Sequence, residues 1–505
     1  MKKRIGMNWL GIIILASALF IPGAAKDGVL ADAPEEPAGA PVSPATAACL
    51  ECHESLHPGV VADWRRSRHA RRTPDAALAE PEAARRFSAK AAPRGEGDFA
   101  VGCAECHTRS PESHADSFEH NGYRVHPVVT PADCAACHPE EREQYAGNIM
   151  SEASGNLLDN PVHRDLVRAG SGPAGLSGGR AVFSAPAGDA SDAGCISCHG
   201  TRIAVTGKVT RDTDLGPMDF PKLSGWPNQG VGRVNPDGSK GSCAACHARH
   251  SFSIALARSP ATCGQCHTGP DVPAYKVYTA SKHGNIHGAE GRAWNMEAVP
   301  WTPGRDFSAP TCAACHVSLL AAPDGAVLSP RSHRMNDRMG FRLFGVVYAH
   351  PHPTSPDTTR IRNSAGQPLP ADLSGRPAQR FLIDPAEQSK RRASMGRVCT
   401  ACHGASWVAG HFERLAAVIA ETNASTRAAT ALVEKAWQRG LCRGFPQKSN
   451  PFDEPLEREW SRIWLFYANS TRFSAAMAGG GDYGSFADGR FQMNEALSRM
   501  AERLK

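Results

Sequence analysis

Apolar residues fall at long-range helical spacing only near the C-terminal end of this chain. From Trp407 to Arg439 the sequence is rich in Ala, Leu, Glu and Arg, and Leu415, Val418, Ile419, Ala428, Leu432 and Trp437 follow helical steps. Glu454 to Met477 reads as a second helix, broken by Gly479, Gly480 and Gly481, and Met493 to Leu504 as a short third. Before His403 the apolar residues come in short groups divided by Pro and Gly, the pattern of short helices and loops. Pro351 to Ala386 is rich in Pro, Asp and Arg with little periodicity, and reads as a surface insertion over 351–386. At the start, Lys2, Lys3 and Arg4 precede an apolar run from Trp9 to Pro22, and Gly23, Ala24 and Ala25 follow. That layout predicts a secretory signal peptide over 1–25. The run is shorter than the ~20 residues of a membrane-spanning helix; an uncleaved anchor is the alternative, and no second apolar span follows. Residues 26–48, rich in Ala, Pro and Glu, read as a disordered leader.

Composition makes this pattern a puzzle. A chain of 505 residues normally builds two or more domains, yet only 41% is hydrophobic and 7% aromatic, with 48 Gly and 38 Pro. The cysteines supply the missing core. Sixteen of the seventeen fall in eight Cys-x-x-Cys-His pentapeptides: Cys49, Cys52 and His53; Cys103, Cys106 and His107; Cys134, Cys137 and His138; Cys195, Cys198 and His199; Cys243, Cys246 and His247; Cys263, Cys266 and His267; Cys312, Cys315 and His316; Cys399, Cys402 and His403. Two thiols add across the vinyl groups of a haem, and the following His is held beneath the iron as proximal ligand. A disulfide framework would not place His after every second Cys, and zinc ribbons would give no reason for it. The expected fold is mainly α: a multihaem cytochrome c wrapped around eight haems over 49–404, with long C-terminal helices over 405–505 available for subunit contact. Motif spacing is irregular, so this is no tandem repeat; the 20 residues from Cys243 to Cys263 make the fifth and sixth haems neighbours. Cys442, outside any motif, reads as a structural thiol.

The formal charge of +6 does not point to nucleic acid, because eight haems add about sixteen propionates. Attachment of c-type haem belongs outside the cytoplasm, which agrees with the signal peptide and predicts a periplasmic protein, or one on the outer face, with no transmembrane span after processing.

Of 21 His, eight are proximal ligands. An electron-transfer haem usually fills both axial positions, whereas an open iron can take a substrate. If one haem is open, seven distal ligands are needed. The candidates are His69, His114, His126, His250, His283, His333 and His411, with His57, His120, His163, His287, His350 and His352 in reserve.

Several stretches carry a resemblance to the octahaem hydroxylamine oxidoreductase family, whose members include hydrazine-oxidising enzymes and reductive relatives. They are the eight motifs themselves; Thr130 to His138 with Pro139 and Glu140; Gly232 to Ser239 running into Cys243 to His250; Cys263 to His267 with Gly269, Pro270 and Asp271; and Ser281 to Gly284. Trp464, Arg472, Ala475 to Met477 and Gly481 to Tyr483 stand in family-like order. The resemblance implies that the fourth haem, on His199, is catalytic with an open distal face. It also implies a homotrimer in which Tyr483 of a neighbouring subunit is cross-linked to that porphyrin. The family commonly has Gly-Pro-Asp-His after the sixth motif; here Asp271 is kept and Val272 replaces the His. The fourth motif ends in His, unlike the Lys common at the catalytic haem of pentahaem ammonia-forming nitrite reductases.

The function so implied is oxidation of hydroxylamine, a small inorganic nitrogen substrate, to nitric oxide or nitrite. Asp271 would take protons, and the other seven haems would pass electrons to an electron-accepting cytochrome c. Hydrazine is a second candidate substrate. The alternatives are a nitrite or hydroxylamine reductase on the same scaffold, against which Tyr483 speaks, and a non-catalytic multihaem electron-transfer protein with eight closed irons.

Overall fold

The computed structural model describes residues 39–184, 188–213, 216–477, 479 and 481–505. The expected signal peptide over 1–25 and residues 26–38 of the expected leader lie outside them. The remainder of that leader corrects the expectation, because 39–48 is ordered. Ser43 caps helix α1 (Pro44–Leu56) by accepting from the Thr46 backbone N–H at 3.1 Å, and Pro44 takes the first turn, where its missing N–H costs nothing. Thr46 also donates to Glu105 Oε2 at 2.7 Å, which ties the first motif helix to the second. A composition-based reading is blind to such a single cap.

Helices before residue 400 are short. Those that matter below are α2 (Ala153–Leu158), α3 (Pro161–Ser171), α4 (Gly188–His199) and α5 (Pro385–Thr400). Sheet among the described residues is limited to five two-stranded antiparallel pairs. These are β1 (Phe118–His120) with β2 (Tyr123–Val125), β3 (Ala174–Ser177) with β4 (Arg180–Phe183), and β5 (Ala204–Thr213) with β6 (Gly216–Ser224). The last two are β7 (Leu320–Ala321) with β8 (Val327–Ser329), and β9 (Phe341–Arg342) with β10 (His350–Pro351). The protein is mainly helical, as its sequence predicts.

The C-terminal region holds the large apolar core. Helix α6 (Ala405–Gln438) matches the predicted element, and Ile419 and Trp437 of the predicted stripe are buried, but the stripe as a whole is shifted. Ala428 is exposed and Leu415, Val418 and Leu432 are half-buried, while Thr422, Thr426, Ala429, Thr430 and Val433 face inward. The buried threonines return their hydroxyls to carbonyls one turn back, Thr426 to Thr422 at 2.8 Å and Thr430 to Thr426 at 2.8 Å, which lets small residues line a close helix contact without an unpaired polar group. Against this stripe pack α7 (Pro455–Ser461), a π-helical turn over Arg462–Tyr467, α8 (Ala468–Ala476) and α9 (Arg490–Arg503). Trp437, Trp460 and Trp464 are all but fully buried there, with Trp437 and Trp460 edge to face at 5.8 Å. Cys442 lies in the same core, 2% exposed.

The stretch 351–386 is not a surface insertion. Leu369 is 0% exposed and joins the C-terminal core, and Ala371, Leu382 and Ile383 are also buried. Irregular backbone tolerates this burial because side chains satisfy it: Asn363 accepts from Ala365 N at 3.0 Å and Gln367 N at 2.9 Å. Such anchoring is aperiodic, so it leaves no pattern to read. Elsewhere the apolar clusters are small, one around Trp64, Ala70 and Ala100 and one around Trp301, Phe307, Leu320 and Val398.

Candidate haem-binding and catalytic site

Each motif is about one helical turn, so its two thiols, three residues apart, share a face and the His follows beside them. Cys103–His107 and Cys312–His316 are isolated turns of this kind, and the fourth and eighth motifs end α4 and α5. Three proximal rings are pinned from behind. His107 Nδ1 lies 2.8 Å from the His126 carbonyl, His199 Nδ1 3.1 Å from the Ala153 carbonyl in α2, and His316 Nδ1 3.3 Å from the Met335 carbonyl. A ring donating from Nδ1 presents its Nε2 lone pair forward, the tautomer an iron requires.

Four motif histidines face a second imidazole across a gap of one metal ion. Ring centroids are 6.0 Å apart for His53 and His120, 6.3 Å for His138 and His69, 6.5 Å for His247 and His333, and 6.1 Å for His403 and His283. Two metal–nitrogen bonds of about 2 Å plus the half-widths of two rings give about 6 Å, so these residues fit a haem iron between them. Burial pushes the pKa of His69, His138 and His333 down to about 4, which keeps those rings neutral and able to ligate at neutral pH. His107 lies near enough to His250, and His316 near enough to His352, to make His250 and His352 less ready to charge. The Nδ1 atoms of His120, His126, His333 and His352 and Nε2 of His350 are buried without a hydrogen-bond partner.

Other candidates from the sequence stand elsewhere. His114 lies between two carboxylates, Nδ1 3.3 Å from Asp116 and Nε2 3.1 Å from Asp133, with its ring stacked on His126 at 3.5 Å. Hydrogen bonds to those carboxylates outweigh burial and raise its pKa to about 9, so His114 is a cation within an acidic pair. The His126 ring also lies 6.1 Å from that of His107, but this pair is tied through the backbone, His107 Nδ1 to the His126 carbonyl and His126 Nε2 to the Arg109 carbonyl at 3.0 Å. His411 is separated from His403 by Trp407, which stacks on both rings. His57 sits behind His53, Nδ1 to Nδ1 at 2.9 Å. No sequence signal distinguished His120 and His352 from these, since long-range packing decides which ring reaches which motif.

Thiols of different motifs approach one another. Cys134 and Cys243 lie close enough to shift each other's ionisation, as do Cys263 with Cys312, and Cys198 is close enough to shift that of Cys266. Cys49 lies near Cys103, Cys106 near Cys134, Cys246 near Cys263, and Cys315 near Cys399. Together these contacts join all eight motifs in one line with the fourth as a branch at the sixth, and they make the fifth and sixth neighbours.

Around His199 the surroundings differ. Asp271 lies within electrostatic reach of both His199 and His267, opposing the effect of burial on each. Its carbonyl accepts from Asn469 Nδ2 in α8 at 2.8 Å, and its side chain is exposed. Among the described residues no imidazole stands opposite His199 or His267 at the paired distance. His163 in α3, with Nδ1 2.7 Å from the Asn156 carbonyl, and His350, with Nδ1 2.7 Å from the Pro351 carbonyl, both leave Nε2 for another partner. Arg342 on β9 completes the surroundings. Tyr483 is half-buried in a π-helical turn, its hydroxyl donating to Asp488 of its own chain at 3.3 Å.

Comparison with known proteins follows the same lines. Residues 235–322 match the family model for seven times multi-haem cytochrome CxxCH, and residues 48–139 that for cytochrome c554 and c-prime. Over 419 residues, 80% of this chain, the sequence is 24% identical to a probable nitrite reductase-hydroxylamine oxidoreductase fusion protein of Kuenenia stuttgartiensis. The match spans 39% of that longer protein. A solved structure of a hypothetical multiheme protein is 40% identical, with a TM-score of 0.85 over 92% of this chain and 95% of that one. A reducing HAO-like protein complex of Kuenenia stuttgartiensis shares the fold, with a TM-score of 0.59 over 91% of this chain and 84% of that one at 18% identity.

Proposed function

Because this chain belongs with the multihaem c-type cytochromes and is similar to hydroxylamine-oxidoreductase-like proteins, we propose that it is an octahaem oxidoreductase that oxidises hydroxylamine at the haem site of Cys195, Cys198 and His199. One observation carries the reading: the fourth and sixth motif histidines gather around a carboxylate, Asp271, whereas four others face a second imidazole. Cys195, Cys198 and His199 would hold a c-type haem, whose iron would supply a site for the substrate nitrogen and one-electron chemistry.

The chain's own groups do the rest. The Ala153 carbonyl fixes the His199 ring so that Nε2 points forward. Asp271, exposed beside that ring and held by Asn469, accepts the protons that hydroxylamine loses with its electrons. Its carboxylate also stabilises positive charge on the neighbouring imidazoles. Asp271 has no His at its side, since Val272 follows it, so proton removal rests on one group. The line of neighbouring motifs provides the route along which electrons leave, toward a surface-bound cytochrome c.

Tyr483 supports the oxidative direction. Turned out of its contact with Asp488, it would reach the fourth haem of a neighbouring subunit and close three chains into a trimer. An exported, periplasmic location fits c-type haem, and no helix among the described residues is long and apolar enough to cross a membrane. The second reading, reduction of nitrite or hydroxylamine, is favoured by Tyr483 being engaged within its own chain. The holoprotein should show one high-spin ferric haem among low-spin ones, perturbed by hydroxylamine. His199→Ala should remove that signal and the activity together; an all-low-spin spectrum would leave a haem wire. Tyr483→Phe should collapse a trimer-sized band in denaturing electrophoresis. A fully haem-loaded wild type that runs as monomer moves the assignment to the reductase.

A further inference from the structure

Arg342 is the unexplained charge of this site. Among the described residues its half-buried side chain makes no hydrogen bond and no ion pair, and its Nε is buried without a partner. Its guanidinium lies over the Phe344 ring at 4.8 Å, and Phe344 stacks in turn on Phe473 of α8 at 6.2 Å, so the group is held in place. Pairing of β9 with β10 sets His350 directly opposite Arg342. Its charge is felt at His163, His199, His350 and His352, all of which burial keeps neutral. Burial lowers the pKa of Arg342 itself only to about 10, so it stays charged.

Other buried arginines show what satisfaction looks like here. Arg472, 0% exposed, donates to Thr422 Oγ1, the Leu343 carbonyl, Asn469 Oδ1 and Asn423 Oδ1. Arg233 donates to Asn235 Oδ1 and to the Asn228 and Val129 carbonyls. Both spread a charge over neutral acceptors, with every nitrogen of the fork donating at least once. Arg342 is half-buried with its fork of donors unspent, and a buried Nε with nothing to donate to is costly. Such a fork matches two oxygens on one atom in a plane.

We propose that Arg342 is an anion-recognition residue beside the His199 site, binding a planar monoanion through two oxygens. That chemistry has two sources, nitrite and a haem propionate carboxylate. For nitrite the inference rests on the reading of His199 as a substrate-binding centre, and it makes nitrite the species this pocket holds, as product of oxidation or substrate of reduction.

The test uses the haem-loaded protein and Arg342→Gln, with Arg342→Lys restoring charge without the fork. One arm titrates nitrite and neutral imidazole optically at pH 8. If nitrite is the anion, Arg342→Gln weakens nitrite roughly tenfold and leaves imidazole within twofold. The other arm is a redox titration. If a propionate is the anion, Arg342→Gln lowers one haem's potential by about 59 mV, the tenfold equivalent for one electron, and Arg342→Lys restores it. Either result supports the proposal. An unchanged nitrite-to-imidazole ratio together with unchanged potentials overturns it. Wild-type protein that binds neither ligand refutes the open iron at His199, while the redox arm still decides Arg342.

Discussion

Glu457→Gln probes the C-terminal core through a single buried proton. Glu457 is 0% exposed at the start of α7; Oε1 accepts from Trp437 Nε1 at 2.6 Å and Oε2 from the Glu454 backbone N–H at 3.1 Å. Burial, with Asp453 and Glu454 adding to it, raises its pKa from 4.5 to about 8 against the effect of those hydrogen bonds. A carboxyl with a raised folded pKa binds its proton more tightly folded than unfolded. The fold therefore bears no cost below about pH 4.5, loses stability steadily as pH rises, and bears the full cost above about pH 8. At ~1.4 kcal/mol per unit, the cost at high pH is on the order of 5 kcal/mol. Glutamine keeps the acceptor for Trp437 but turns an N–H toward the Glu454 amide, losing roughly 1–2 kcal/mol at every pH. Guanidinium unfolding of the holoprotein, followed by helical circular dichroism from pH 5 to 9, should show wild type falling relative to the variant as pH rises. The variant should be the weaker protein at pH 5 and the stronger by a few kcal/mol at pH 8.5. Parallel curves would refute the assignment of a buried, protonated Glu457.

Two further outcomes follow from named contacts. His333→Ala removes the ring 6.5 Å from His247 and should convert one low-spin haem to high-spin in the EPR spectrum; an unchanged low-spin count would mean another ligand serves the fifth iron. Leu369→Ala should destabilise the protein by about 2–5 kcal/mol, because Leu369 is fully buried in the C-terminal core, whereas a surface loop would respond within about 0.5 kcal/mol.

Motifs were legible because their chemistry is local: two thiols and an imidazole within one turn need no knowledge of the rest of the chain. The C-terminal helices were legible too, through length and periodicity, although α6 turned its threonines inward and left Ala428 outside. Second axial rings were a different matter. His69, His283 and His333 oppose a motif histidine, but so does His120, and His114, equally plausible on spacing, lies between Asp116 and Asp133. Pairs such as His247 with His333 join residues far apart in sequence, and single-chain spacing carries no information on them. Arg342 escaped notice for a related reason: an arginine becomes informative only when its surroundings are known to offer it no acceptor.

The uneven distribution of apolar clusters has a consequence for how the protein is made. Between the first and seventh motifs the clusters are small, and the interior consists of histidines and thiols arranged for a group the ribosome does not supply. The large cluster is assembled mostly from residues after 429, with Leu369, Tyr348 and α3 recruited to it. Synthesis runs in the opposite order of self-sufficiency: the segment that cannot hold itself closed emerges first, and the segment that can emerges last. A chain made in that order is expected to stay open to the machinery that attaches haem until the C-terminal helices, which pack on α3 and the 347–371 stretch, close it. A truncation near residue 405 should therefore leave haem attachment largely intact while making the loaded chain a ready substrate for proteases.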